Sequence, residues 1–145
     1  MIQRKQSLWL FIAALLNAGV FYFDLYRAHI GTSNADIVLP LRVADHYPSL
    51  LIALVMTALP FITIFMFANR KRQMRMSFAG ILAIISFITL LLFRVTNLGK
   101  LTPPPSNGSY WIGAVLPVIA LVFMIMAISG IRRDEKLVKS VDRLR

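Results

Sequence analysis

Two histidines and two aspartates share the first polar segment of the chain, and their side chains are the ones best suited to bind a metal ion: His29, Asp36, Asp45 and His46. Imidazole nitrogens and carboxylate oxygens are common ligands of zinc and other transition metals. However, the spacing matches no metal motif, and the adjacent Asp45 and His46 point in different directions on any regular backbone. We therefore interpret the histidines as solvated loop residues. The sequence predicts no catalytic residue, no metal site and no cofactor.

The composition is that of an integral membrane protein. Of the 145 residues, 58 % are hydrophobic and only 15 % are charged, and the mean hydropathy is +0.71. These values exclude an ordinary soluble domain. The chain contains no Cys, which excludes disulfides, thiolate metal sites and thiol redox chemistry.

Four apolar stretches predict membrane spans at about 7–26, 48–69, 76–95 and 110–131. Each is about long enough to cross a hydrocarbon core of roughly 30 Å as a helix. A helix is required because no water is present there to satisfy backbone groups. The predicted fold is all-α: a four-transmembrane-helix bundle that forms a single domain over residues 1–145, with an amphipathic helical tail at 132–145.

The basic residues predict the orientation of this bundle. Twelve of the 16 Lys and Arg residues fall at one end of the predicted spans and four fall at the other. Short cytoplasmic loops carry the excess of positive charge, so both termini are expected in the cytoplasm. Because this topology accounts for the net charge of +10, we expect no nucleic-acid partner.

Several polar or helix-perturbing residues fall near the middle of the predicted spans, where they are costly unless they are paired. In addition, Pro60 lacks the N–H that would bind the carbonyl of Met56. These residues could pack and hydrogen-bond between helices, or they could line a ligand site; we favour packing. The predicted packing residues are Asn17, Thr57, Ser86 and Pro117.

Two opposite charges mark the non-cytoplasmic ends of spans one and three. Asp24 and Arg94 could form an ion pair that latches these spans together. Alternatively, Asp24 reaches outward or pairs with Arg27 one turn further on, and Arg94 extends to the lipid headgroups.

The tail carries apolar residues at helical spacing together with six basic side chains. These could bind anionic headgroups at the cytoplasmic face, at about 1 kcal/mol each, or a cytoplasmic partner. A solvated helix that only sets the topology is the alternative. The basic residues are Arg132, Arg133, Lys136, Lys139, Arg143 and Arg145.

The two ends of the chain carry a family resemblance. Residues 1–8 read Met-Ile-Gln-Arg-Lys-Gln-Ser-Leu, and residues 131–145 read Ile-Arg-Arg-Asp-Glu-Lys-Leu-Val-Lys-Ser-Val-Asp-Arg-Leu-Arg. Both segments resemble the ends of a family of small bacterial four-span membrane proteins catalogued as a domain of unknown function. The resemblance implies a bacterial inner-membrane location, and it supplies no activity, substrate or catalytic residue.

The sequence therefore favours a non-catalytic accessory, assembly or scaffold protein that acts through binding, within a membrane complex or at the lipid surface. The alternative is a small transporter, or a protein that binds lipid or quinone between its helices. Small exporters that insert in both orientations need balanced loop charges and a carboxylate inside the first span. Here the charges divide twelve to four, and Asp24 lies at the edge of the span. This comparison weakens the transporter interpretation.

Overall fold

The computed structural model describes residues 3–32, 35–67, 69–100, 105 and 107–142. This part of the chain folds into four helices and three short strands. The helices are α1 (Gln3–Gly19), α2 (Tyr47–Ile64), α3 (Arg70–Leu98) and α4 (Ile112–Asp142); the strands are β1 (Tyr26–Thr32), β2 (Ala35–Leu41) and β3 (Asn107–Tyr110).

Three of the helices are long and apolar enough to cross a membrane: α2, α3 and the Ile112–Lys136 part of α4. The first predicted span, 7–26, forms a shorter apolar helix that ends at Gly19. Its 17 residues extend for about 25 Å at 1.5 Å per residue. The chain then makes a series of turns, in which the backbone N–H groups of Tyr22 and Phe23 both bind the carbonyl of Gly19.

Local chemistry explains where α2 and α3 begin. The ring of His46 accepts a hydrogen bond from the backbone of Ser49, which caps α2, and Pro48 occupies the first turn, where a missing N–H costs nothing. The side chain of Asn69 caps α3 in the same way by accepting from the backbone of Arg72. The predicted tail is not a separate element, since α4 continues through it to Asp142.

The helices pack in a ring in which α1 contacts α2 and α4, and α3 contacts α2 and α4. Buried residues recur at alternating intervals of three and four along every helix, the pattern of a left-handed bundle seam. In α2 they are Ser49, Ala53, Met56, Pro60 and Thr63; in α3, Gln73, Ser77, Gly80, Ile84, Phe87 and Leu91. In α1 they include Gln6, Leu10, Ala13 and Asn17, and Val20 continues the spacing just after the helix; in α4 they include Pro117, Ala120, Met124, Ala127, Ile131 and Asp134.

A small antiparallel sheet corrects the all-α prediction. Its strand order is β2-β1-β3, with Tyr26 paired to Leu41 on one side and to Tyr110 on the other. We call the end of the bundle that carries this sheet the sheet end. The opposite end, where the side chain of Gln6 meets that of Asp134, is called the tail end.

Candidate functional site

The residues considered as metal ligands take part in local structure. Asp45 accepts a hydrogen bond from the backbone N–H of Arg42 at 2.9 Å, and the adjacent His46 caps α2. His29 lies in β1, opposite Val38 of β2. Asp36 belongs to β2, and its side chain lies outside the described part of the chain. Within the described residues, no group of three or more His, Cys, Asp or Glu side chains could hold a metal ion.

Asp24 is the centre of a charged network at the sheet end. Its side chain is buried, and its carboxylate accepts hydrogen bonds from Arg42 Nε at 2.8 Å and from Arg27 Nη2 at 2.7 Å. These bonds from Arg42 and Arg27 lower the pKa of Asp24 below its ordinary value and outweigh burial, which raises it. Arg27 also lies 4.1 Å above the ring of Trp111, so the network reaches the start of α4.

Arg94 does not pair with Asp24, which corrects the predicted latch. Its Nη1 donates to the carbonyl of Arg42 at 3.0 Å and to the hydroxyl of Ser49 at 3.2 Å. Asp24 binds the side chain of Arg42, whereas Arg94 binds its backbone. The two residues are therefore joined through the segment between β2 and α2. Sequence reasoning missed Arg42 because only the sheet brings it over the end of α1.

A glycine permits the contact between α4 and the end of the first apolar segment. The N–H of Gly113 donates to the carbonyl of Asp24 at 3.1 Å. A Cβ at position 113 would lie only 2.6 Å from that oxygen and 2.8 Å from the carbonyl oxygen of Phe23. Since both atoms belong to the backbone, a larger residue would push α4 away from the charged network.

A hydrogen bond joins α1 and α2 in the middle of the bundle. Asn17 Nδ2 donates to the carbonyl of Met56 at 2.9 Å, and both residues are buried. This carbonyl is the one whose helical donor is missing at Pro60. Asn17 Oδ1 has no partner among the described residues. Asn17 of α1 therefore supplies the hydrogen-bond donor that Pro60 of α2 lacks. We call these two residues the matched pair.

The other predicted packing residues have different environments. Thr57 binds the carbonyl of Ala53 in its own helix at 2.8 Å. Ser86 lies on the exposed side of α3, so it takes no part in packing within this bundle. Pro117 is buried in the seam face of α4. A polar residue near the middle of a span therefore faces the interior only where the seam pattern places it there, as it does for Asn17.

An apolar groove of about 350 Å³ runs along the outside of the bundle between α1 and α2. It extends from Phe11 to Ala18 along α1, a length of about 10 Å at the helical rise, and reaches Phe21 in the turns that follow. Most of the residues that line it are aromatic or small. They are Phe11, Ala14, Leu15, Ala18, Phe21, Leu54, Thr57, Ala58 and Phe61. The groove is therefore an almost wholly apolar surface on the outside of the bundle.

Each helix contributes one buried polar residue to a layer at the tail end. We call this set the polar layer: Gln6, Thr63, Gln73 and Asp134. The amide nitrogen of Gln6 donates to Asp134 Oδ2, and the amide nitrogen of Gln73 donates to the carbonyl of Thr63 at 3.3 Å. Gly130 makes this arrangement possible, because a Cβ there would lie 2.9 Å from Gln6 Cγ.

Two unpaired polar atoms lie at the polar layer, one on its member Asp134 and one on the neighbouring Arg70. Asp134 Oδ1 and Arg70 Nη1 are buried and have no hydrogen-bond partner among the described residues. Their side chains, with Gln6 and Gln73, line a cavity of about 10 Å³, the size of a single water molecule. The opposite charges of Asp134 and Arg70 therefore face one small polar space at the tail end.

Sequence reasoning did not single out Asp134 within the tail, although a signal for its burial exists. Ala120, Met124, Ala127 and Ile131 follow the alternating spacing of the α4 seam, and Asp134 is the next position. Extending the pattern past the last apolar residue predicts an inward carboxylate. The three basic residues around it, Arg132, Arg133 and Lys136, are exposed. Lys139 belongs to α4, but its side chain lies outside the described part of the chain. Arg143 and Arg145 lie wholly outside that part.

A second groove, of about 360 Å³, lies between α1 and α4 near the tail end. Ile125 and Met126 contribute apolar surface, and Arg133 contributes a positive charge. Trp9, which stacks on Phe123 with ring centroids 5.5 Å apart, forms part of the wall. This combination of an aromatic ring, apolar side chains and a cation differs from the first groove, whose lining carries no charged side chain.

Fold and site together define a mostly helical protein with three helices long enough to span a membrane, a shorter apolar helix and a small sheet. The chain belongs to the family described as a domain of unknown function (DUF4293), whose model matches residues 2–144. A search of curated proteins found no match.

Proposed function

We propose that this protein is a non-catalytic accessory or assembly protein of a membrane complex, and that it receives an apolar helix of its partner in the groove between α1 and α2. The proposal places the bundle in a bacterial inner membrane with both termini in the cytoplasm. The sequence supports that orientation, because twelve of its Lys and Arg residues fall at one end of the predicted spans and four fall at the other. Gln6 and Asp134 are in contact, which agrees with termini on one side.

The groove is the observation that carries the proposal. Ala14, Ala18 and Ala58 lie along it, and small residues let the backbone of another helix approach closely. Phe11, Phe21 and Phe61 are also part of the lining. In a membrane there is no hydrophobic driving force between helices, so close packing of this kind decides whether two helices associate.

The interior of the bundle argues against a transport pathway. Leu10, Met56, Ile84, Phe87 and Met124 are fully buried in the seam between the helices. A substrate passing along this axis would have to displace them, whereas a partner in the lateral groove displaces only lipid. The packed seam therefore favours a binding role over transport.

Site-specific photo-crosslinking tests the proposal. A photoreactive amino acid in place of Ala58 would lie in the groove, and the same replacement at Leu82, an exposed residue of α3, provides the control. Irradiation of native membranes should join the first variant, and not the second, to one protein that mass spectrometry identifies. Crosslinking of position 58 to lipid alone would contradict the proposal.

The α1–α4 groove supports a second candidate function, the binding of an anionic lipid. Arg133 could pair with a phosphate, while Trp9 and Met126 contact the upper part of an acyl chain. Native mass spectrometry of the protein in detergent should show retained anionic lipid, and Arg133→Gln should reduce it. Equal retention of anionic lipid by Arg133→Gln and by the wild type would contradict this second function.

A further inference from the structure

The two faces of the sheet differ in composition: where residues 26–30 of β1 pair with β2, one face carries only apolar side chains, and the opposite face is mixed. Directly paired residues in an antiparallel sheet share one face. Tyr26, Ala28 and Ile30 of β1 are paired with Leu41, Leu39 and Ile37 of β2 in that order. We call these six side chains the apolar sheet face. The opposite face includes Arg27, His29, Val38, Pro40, Asn107 and Ser109.

The contacts of Tyr26 and Leu41, which we call the base of the sheet, show which way the apolar sheet face is turned. Leu41 belongs to the core cluster of the protein, and Tyr26 packs against that cluster. The ring of Tyr26 also occupies the space that a Cβ of Gly108 would fill, which places Gly108 under the same face. The apolar sheet face is therefore directed toward the helices.

Along β2, exposure on this face increases from Leu41 toward Ile37, whereas Ala28 in β1 is buried. Leu41 is 8 % exposed, Leu39 is 39 % exposed and Ile37 is 54 % exposed. The seven residues of β2 extend for about 23 Å at 3.3 Å per residue, so Ile37 lies about 13 Å along the strand from the buried Leu41. The exposed side chains of this face need another apolar surface on the side where the helices lie.

Residues around the base indicate what that surface is. Tyr22, Tyr47 and Tyr110 are exposed aromatic residues close to the sheet end, and tyrosine is enriched where a bilayer meets water. The helices that cross the bilayer end at this level. A sheet whose apolar side is turned toward them overhangs the headgroup region of the surrounding lipid.

We propose that the β1–β2 hairpin lies on the membrane, with Ile30, Ile37 and Leu39 inserted into the interfacial layer of the leaflet at the sheet end and the opposite face in water. The hairpin then acts as a lipid-contacting flap, the sheet counterpart of an amphipathic interfacial helix. This inference rests on membrane insertion of the bundle, and not on the partner proposed for the α1–α2 groove.

The natural chain has no Cys, so single-cysteine variants can carry an environment-sensitive fluorophore at one chosen position. Ile37→Cys and Leu39→Cys report on the apolar sheet face, and Val38→Cys, at 45 % exposure on the opposite face, is the matched control. Leu82→Cys on α3 reports whether the bundle is inserted. Each labelled protein is reconstituted into vesicles of phosphatidylcholine and phosphatidylglycerol.

The expected result alternates along the strand. Fluorophores at positions 37 and 39 should show blue-shifted emission and quenching by a nitroxide near the headgroups, whereas the fluorophore at 38 should be quenched by aqueous iodide. A water-exposed signal at 37, 38 and 39 with a lipid-quenched signal at 82 overturns the inference and leaves insertion intact. Shifts at 37 and 39 that grow with protein density also overturn it, because a second copy would then cover the face. A water-exposed signal at position 82 would instead contradict insertion itself.

Discussion

Asn17 donates its side-chain amide to the carbonyl of Met56, the carbonyl that Pro60 deprives of its helical donor. The pair joins α1 to α2 on the buried side of the same two helices whose outer side forms the apolar groove. A hydrogen bond in the seam therefore holds the two walls of the proposed docking site together.

The matched pair predicts a specific coupling between two substitutions. Asn17→Leu should lower the free energy of unfolding by about 1 to 2 kcal/mol, because it leaves the Met56 carbonyl buried without a donor. In a Pro60→Ala background the alanine N–H can bind that carbonyl, so the same substitution should cost much less. Unfolding of the four proteins in mixed micelles measures the coupling. Additive effects would show that the two residues act independently.

The charged network at the sheet end predicts acid sensitivity. The pKa of Asp24 is below its ordinary value of 3.8, because Arg42 and Arg27 donate to the ionised form. Its stabilising contribution is therefore complete above the unfolded pKa and is lost as the pH falls through the lower, folded pKa. Thermal unfolding from neutral pH to about pH 3 should show a smaller acid loss for Asp24→Asn than for the wild type. Equal losses of stability in the two proteins would show that Asp24 does not contribute to the acid sensitivity.

The partners of Asp24 and Arg94 predict different coupling energies. Asp24→Asn and Arg42→Gln should be strongly coupled in a double-mutant cycle, because the two side chains bind each other. Asp24→Asn and Arg94→Gln should be coupled less, since Arg94 binds the Arg42 backbone. The free energy of unfolding of each single and double variant provides the comparison. A larger coupling for the Arg94 pair would support the direct latch predicted from the sequence.

Two glycines provide a matched test of helix packing. Gly113→Ala should cost about 1 to 3 kcal/mol, because the new Cβ meets the backbone oxygens of Asp24 and Phe23. Gly99→Ala adds the same methyl group where its nearest neighbour is 3.5 Å away and where the backbone has an ordinary helical φ of −63°. This control should have unchanged or slightly higher stability. Similar losses in both variants would contradict the close contact at Gly113.

The polar layer predicts that a double substitution is better tolerated than a single one. Gln6→Leu leaves the buried carboxylate of Asp134 without its donor, and should strongly destabilise the protein. Replacing both residues with Leu removes the unpaired charge and should recover most of the loss. Thermal unfolding of the single and double variants in detergent measures the recovery. A double variant less stable than Gln6→Leu would show that Asp134 is required for another reason.

The sequence predicts the long apolar helices well, because uninterrupted apolar length is a strong signal of a span. It also carries a readable signal for β1, in which Tyr26, Ala28 and Ile30 alternate with polar residues. By contrast, β3 has no such pattern and pairs with β1 only because the helices bring distant segments together. Arg42 is hidden for the same reason, since its contact with Asp24 depends on the register of the sheet.

Purification of the tagged protein from native membranes in mild detergent, with the wild type and Ala58→Trp compared, tests the proposed docking most directly. Tryptophan at position 58 fills the apolar groove from its exposed side, whereas Leu82→Trp adds an indole to α3 away from it. The proposal predicts one stoichiometric partner with the wild type and with Leu82→Trp, and its loss with Ala58→Trp. Recovery of the same partner with Ala58→Trp, or of no partner with any of the three proteins, would contradict it.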